Sequence, residues 1–331
     1  NNQYQDYLPI AARDTVVWRA AAEDGDSIYS RHGDAKVAKI NAPLSDKNRR
    51  EMAVPAQCYG SCVPSLLALR PAVDQAGERI AWAAYDGDDY EIYLLEGKEV
   101  KKITDNGKDD GYPVFWQGGL VWAGWDGADY ELFFLKDGEM TRLSDNDVND
   151  YAPASDGKSL VWQHFNYDID RWELMCLTGV DAKPSLMLIQ EDGKLVKENY
   201  NERCLPGVCG EDVVYFVNSC DQYELRFFDG KKALYLDQSP FKCADAWTSG
   251  GGVVWKAWTP DAINFDIFYW DASMKSDKSN RRQGVNISQS AFHSTNPVIA
   301  DDKRIYWQEY DGNDYEIFCA EKNATPKPNQ E

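Results

Sequence analysis

Residues 80–106 read IAWAAYDGDDYEIYLLEGKEVKKITDN, and residues 120–146 read LVWAGWDGADYELFFLKDGEMTRLSDN. The second stretch repeats the first with a shift of 40 positions. In each, an apolar pair precedes a tryptophan, Trp82 or Trp122. An aromatic and an Asp-Gly follow, as Tyr85-Asp86-Gly87 or Trp125-Asp126-Gly127. Next comes Tyr90-Glu91-Ile92-Tyr93 or Tyr130-Glu131-Leu132-Phe133. The copy ends on Lys101-Lys102-Ile103-Thr104-Asp105-Asn106 or Thr141-Arg142-Leu143-Ser144-Asp145-Asn146. Short β-rich runs bounded by Gly, Asp and Asn predict strands, and Asp-Gly between two runs is a strong hairpin signal.

The tryptophan slot recurs along the whole chain, as Trp18, Trp82, Trp122, Trp162, Tyr215, Trp255 and Trp307. The Glu-containing element recurs as Trp172-Glu173-Leu174-Met175, Tyr223-Glu224-Leu225-Arg226, Phe265-Asp266-Ile267-Phe268 and Tyr315-Glu316-Ile317-Phe318. In the first copy it is degraded to Asp26-Ser27-Ile28-Tyr29. An aromatic followed by proline opens several units, as in Tyr112-Pro113, Tyr151-Ala152-Pro153 and Tyr7-Leu8-Pro9. Anchor spacings of 64, 40, 40, 53, 40 and 52 mark insertions near residues 39–72, 178–192 and 271–284. Four short strands in roughly 40 residues is the signature of a propeller blade. The segments before Trp18 and after Trp307 together amount to about one repeat. The reading is therefore all-β: a seven-bladed β-propeller with four-stranded antiparallel blades, closed by its N- and C-terminal segments, as one domain over residues 1–331. The tail 321–331 departs from the pattern. Its Thr325-Pro326-Lys327-Pro328 falls where the last blade needs a fourth strand, and proline is a poor ladder member. Either that blade edge is bare, open to a strand-donating partner, or the chain is cut from a longer one.

Composition narrows the partners. The chain has 331 residues, 43% of them hydrophobic, which supports a sizeable core. Lys plus Arg is 35 against 55 Asp plus Glu, a net charge of −20. Such a surface repels phosphate backbones and anionic lipids, so nucleic acid is not an expected partner. No run of about eighteen apolar residues exists, so membrane insertion is not expected. No signal peptide is visible, and the chain begins as a mature or trimmed product would. The three histidines, His32, His164 and His293, are too few for multi-His metal catalysis. An even cysteine count of eight favours an oxidising compartment: secreted, periplasmic or cell-surface. Cys58–Cys62, Cys204–Cys209 and Cys220–Cys243 are candidate local bridges, though spacing does not fix connectivity. Cys176 and Cys319 share one repeat slot in blades far apart on a ring and are not expected to pair.

The run from the tryptophan through Asp-Gly-x-Asp-Tyr-Glu-Ile-Tyr to Ile-Thr-Asp-Asn and Asp-x-Tyr-x-Pro resembles the repeats of TolB-like β-propellers, which are WD-repeat-like. It covers about residues 4–320 and is most specific in units two and three. Seven units without an added domain argue against TolB itself. The resemblance implies a periplasmic or secreted binding platform; some relatives degrade polysaccharides.

Loops between the second and third strands share a face with those entering the first strand. That face is the expected binding surface for a protein or glycan, through Tyr85, Asp86, Trp125, Asp126, His164, Phe165, Tyr167, Trp258, Tyr310 and Asp311. Aromatics beside carboxylates can stack sugar rings or grip basic side chains. Packing between blades is the plainer reading of a position that repeats. His164 breaks the repeat, where the other units carry Ala84, Gly124, Ala257 and Glu309. With Tyr167 and Arg171 it resembles the base, acid and charge-neutralising group of propeller polysaccharide lyases, the alternative function. A structural part in a surface or filament assembly is a third reading. The repeated Glu91, Glu131, Glu173, Glu224 and Glu316 invite a catalytic reading, but recurrence points to a scaffold hydrogen bond. No cofactor is expected. Asp105, Asp109, Asp145 and Asp147 are candidate Ca²⁺ ligands, with solvated turns as the alternative.

Overall fold

The computed structural model describes residues 4–22, 25–40, 68–166, 168, 171–177, 179, 185–186, 190–191, 194–195, 206–209, 212–219, 222–229, 233–237, 243–249, 251–259, 263–271, 273–274, 284–300 and 304–322. The described elements are all strands, and the chain folds as a seven-bladed β-propeller of antiparallel sheets. Blade one comprises Gln5–Ala12, Thr15–Ala22, Gly25–His32 and Ala38–Ile40. Blade two comprises Ala72–Val73, Ile80–Tyr85, Tyr90–Glu96 and Glu99–Lys102. Gly111–Trp116, Gly119–Trp125, Tyr130–Lys136 and Glu139–Arg142 make blade three. Blade four is Asp150–Ser155, Leu160–Asn166, Arg171–Leu177 and Ser185–Leu186. Gly207–Cys209, Asp212–Ser219, Gln222–Asp229 and Ala233–Asp237 form blade five. Blade six is Cys243–Ser249, Gly252–Thr259, Asn264–Asp271 and Val285–Asn286. Blade seven shows three strands among the described residues, Ser294–Ile299, Arg304–Tyr310 and Tyr315–Glu321. Residues 325–331, the expected place of its fourth strand, lie outside the described residues, as does most of the first insertion. Among the described residues no helix is long and apolar enough to cross a membrane.

The chain divides into two compact units. Ile10–Met187 carries blades one to four; Leu188–Glu331 with Asn1–Pro9 carries blades five to seven. In the second of these, the start of the chain lies beside blade seven. The Leu8 amide donates to Gln308 Oε1 at 3.4 Å, and the Tyr315 amide donates to Gln5 Oε1 at 3.3 Å.

The repeat's two aromatic slots are partners. Directly opposite the anchors Trp18, Trp82, Trp122, Trp255 and Trp307, across the second and third strands, stands the last aromatic of the following element, whereas Trp162 faces Met175. The rings stack at 6.0 Å in Trp82–Tyr93, 5.9 Å in Trp122–Phe133, 6.0 Å in Trp255–Phe268 and 6.2 Å in Trp307–Phe318. On its other side each of three anchors, Trp122, Trp162 and Trp307, faces a β-bulge. The first strand skips two residues there, Tyr112-Pro113, Ala152-Pro153 or Asn296-Pro297. Their first members, Tyr112, Ala152 and Asn296, have left-handed φ values of 55°, 52° and 52°. Proline has no N–H to give the ladder, so a bulge is where a strand can hold it. The aromatic-proline start of a unit is thus the bulge opposite the tryptophan. Apolar faces of successive sheets form the core, as where Val214, Phe216 and Phe227 of blade five meet Trp255 and Trp270 of blade six.

Trp122 is 1% exposed, so Trp122→Ala should cost about 3–5 kcal/mol. Met140→Ala, at a side chain 53% exposed, should change stability by less than about 0.5 kcal/mol. Chemical-denaturation midpoints measure both.

Candidate functional site

Three hairpins carry the same six-residue pattern: Asp86–Glu91, Asp126–Glu131 and Asp311–Glu316 all read Asp-Gly-x-Asp-Tyr-Glu. In each, the first Asp closes the turn. Asp86 Oδ1 accepts the amides of Asp88 and Asp89 at 2.9 and 3.3 Å, and Asp126 and Asp311 do the same in their hairpins. Gly87 and Gly127 sit at φ of 122° and 117°, where a side chain would strain the backbone.

In blades two and three the glutamate of the element has the scaffold role. Glu91 Oε1 accepts the Asn106 amide at 2.7 Å, and Glu131 Oε1 accepts the Asn146 amide at 2.6 Å. Those asparagines donate onward to Asp110 at 2.5 Å and Asp150 at 2.6 Å, at the foot of the next blade. The turn also meets the hairpin: the Tyr90 amide donates to Asp109 Oδ1 at 3.0 Å and the Tyr130 amide to Asn149 Oδ1 at 3.1 Å. The two loop classes therefore do share one face. In blade six Asp266 replaces the glutamate and accepts from Ser288 Oγ, Asn286 Nδ2, Thr259 Oγ1 and the Ser290 amide. Burial dominates the electrostatics here. It pushes Glu131 up to about 7 and Asp110 up to about 8, against the pull of their hydrogen-bond donors. Burial and then neighbouring carboxylates push Asp89 and Asp129 each up to about 6.

The candidate Ca²⁺ ligands do not converge. Asp105 and Asp145 pair with Lys102 and Arg142, Asp109 caps the Tyr90 amide, and Asp147 is exposed. Carboxylates that do converge are Asp86, Asp89 and Glu91, with their counterparts in blades three and seven.

Of the six expected binding aromatics, Tyr167 lies outside the described residues, and Tyr85, Trp125, Trp258 and Tyr310 each pack against an aromatic of their own hairpin. Tyr85 is buried against Tyr90 and donates to the Gly87 carbonyl. Trp125 meets Tyr130 edge-on at 5.5 Å with the Lys108 ammonium over its ring, and Phe165 is half-buried. Trp258 meets Phe265 at 5.1 Å and His293 at 6.2 Å. Tyr310 lies between Phe292 at 5.6 Å and Tyr315 at 5.5 Å. Blades six and seven thus join these rings to exposed apolar side chains that the repeat did not flag. Phe292 is 42% exposed and Ile263 is 73% exposed. The loops that carry them meet, because Asn264 Nδ2 donates to the Phe292 carbonyl at 3.1 Å. The signal for Phe292 was its slot, which holds Lys108 and Val148 in blades two and three.

His164 is fixed by Asp150, whose Oδ1 lies 2.8 Å from Nδ1 and also accepts Trp162 Nε1. Tyr167 lies outside the described residues, as does the Arg171 side chain, so the trio's geometry is not on view. Of the candidate bridges, Cys58, Cys62, Cys204 and Cys220 also lie outside them.

No family model and no curated protein matches the chain. Solved structures do. The β-propeller domain of the Trilobed protease from Pyrococcus furiosus, described as an open velcro topology, aligns at a TM-score of 0.66 and 12% identity, over 99% of this chain and all of that one. A puromycin-hydrolysing peptidase of Mycobacterium tuberculosis aligns at 0.65 and 12% identity over 97% of this chain, which spans 52% of that enzyme. TolB from Acinetobacter baumannii aligns at 0.47 and 12% identity over 71% of this chain and 55% of that one, too weak to assign the repeat family. The first two likenesses establish the propeller fold.

Burial alone would lower the His164 pKa, but the hydrogen bond and charge of Asp150, then Glu173 and Glu131, raise it above its ordinary 6.5. The folded state therefore holds that proton more tightly than the unfolded chain, and the stabilisation is complete below 6.5 and lost as pH rises through the folded value. His164→Gln should destabilise most in acid and least in base. Urea midpoints of both proteins on either side of neutrality measure it; an equal gap at both would refute the coupling.

Proposed function

We propose that this chain is an exported, non-enzymatic binding module, whose blade six and seven loops take a basic, apolar-faced protein segment. Ile263 carries the reading. It is a β-branched residue held in the left-handed region at φ 56° and left 73% exposed. Glycine or asparagine would suit that backbone better, so the isoleucine costs local stability at a position that leaves most of its side chain in water. Phe292 and the rings of Trp258, Phe265 and Tyr310 extend the apolar surface beside it. The net charge of −20 favours approach of a cationic partner. Export agrees with the even cysteine count.

A displayed random-peptide library selected against the purified protein tests this. Enriched peptides should combine Lys or Arg with large apolar residues, and binding should weaken as salt rises. Phe292→Ser and Ile263→Asn should each weaken it by about tenfold or more, the range of an interface anchor. Ile263→Asn should at the same time leave Tm unchanged or raised. Peptide binding that survives both substitutions overturns the site. Binding on a glycan array with no peptide enriched transfers the surface to a glycan.

A further inference from the structure

The Asp-Gly-x-Asp-Tyr-Glu hairpins leave buried carboxylate oxygens without donors. Asp89 is 1% exposed, Asp129 7% and Asp314 3%. Neither side-chain oxygen of Asp89 or of Asp129 has a hydrogen-bond partner, and Asp314 Oδ1 has none. Glu91 Oε2 and Glu131 Oε2, on side chains with 0% exposure, are also unpartnered. An ionised carboxylate out of water and without donors is costly enough that it calls for a cation or a proton.

The three groups are built alike. Ligand atoms of Asp86, Asp89 and Glu91 lie within 4.8 Å of one another, as do those of Asp126, Asp129 and Glu131, and of Asp311, Asp314 and Glu316. The positive side chains nearby do not fill them. Lys102 Nζ binds Asp86 Oδ2 at 2.8 Å and stands 3.6 Å from Glu91 Oε1, leaving Asp89 and Glu91 Oε2 open. Arg142 likewise binds Asp126 and Asp145, not Asp129. We propose that each Asp-Gly-x-Asp-Tyr-Glu hairpin, in blades two, three and seven, is a binding site for a Ca²⁺ ion, held by the second Asp and the Glu with the turn's first Asp alongside. The donors are all oxygen, with no His or Cys, which selects a hard cation over zinc or copper. Carboxylates spaced along a flexible turn suit the larger, less geometrically demanding Ca²⁺ better than Mg²⁺. The proposal is independent of the partner reading.

Terbium is the probe, because Tyr90, Tyr130 and Tyr315 belong to the hairpins and can sensitise its emission. Tb³⁺ added to chelator-treated protein should give sensitised emission that Ca²⁺ displaces. Asp89→Asn, Asp129→Asn and Asp314→Asn should each remove part of the signal, and the three combined should abolish it. Stability supplies a second readout with a change of sign. Ca²⁺ should raise the Tm of the native protein by several degrees and leave that of the triple variant unmoved. In chelator the variant should be at least as stable as the native chain, since asparagine buries no charge. Wild-type protein that shows no Ca²⁺-competed emission overturns the proposal without recourse to any variant. So does a triple variant that stabilises equally with and without Ca²⁺, which would mean that these side chains are held as neutral acids.

Discussion

A buried carboxylate joins blade two to blade three, and another joins blade three to blade four, where the sheets themselves cannot. Blades of a propeller pack face to face and share no backbone ladder. Among the described residues, backbone bonds between neighbouring blades, such as Gln117 N–H to the Gly157 carbonyl at 2.9 Å, are few, and side chains carry much of the polar connection. Glu91 and Glu131 accept the amide of the turn that ends their own blade, and the asparagine of that turn reaches Asp110 or Asp150 at the start of the following one. A hydrogen bond to a charged group is worth more than a neutral one, about 1.5–3 kcal/mol. Blade six shows that the requirement is for the charge in that place, not for a given residue. Asp266 is one methylene shorter, and Ser288, Ser290 and Asn286 close the distance.

That placement gives Glu91 and Glu131 a scaffold role through Oε1. It also explains the electrostatics. The clasp draws carboxylates out of water, and burial then raises the pKa values of Glu131 and Asp110.

The fold was legible because its signals are local. Each blade repeats the anchor position, and three repeat an Asp-Gly turn, so the number of sheets could be counted along the chain. Stacking of Trp82 on Tyr93 was encoded in the same pattern but not visible, because register depends on the hairpin's length and not on composition. The proline of Tyr112-Pro113 read as a strand start, whereas it sits in a bulge two residues into the strand. The acidic residues were harder still. Asp105 and Asp89 look alike in sequence, yet one is exposed beside Lys102 and the other is buried with no donor. Burial of a turn residue is decided by the neighbouring loop, which local reading does not supply.

Where the repeat is kept, the side chain serves the scaffold; where it is broken, something else must account for the choice. Phe292 stands in the slot of Lys108, and both cover the aromatic ring that follows in the next blade. Lysine does this while keeping its charge in water. Phenylalanine does it only by leaving 42% of its surface exposed, next to an isoleucine in a strained backbone conformation. Both are departures from the stable choice, and the proposed partner would cover both. His164 is a departure of another kind. Its ring is occupied by Asp150, the acceptor that also holds the anchor Trp162. The imidazole is thereby tied to the carboxylate that also receives Asn146 of the preceding turn, so this break in the repeat is anchored inside the blade.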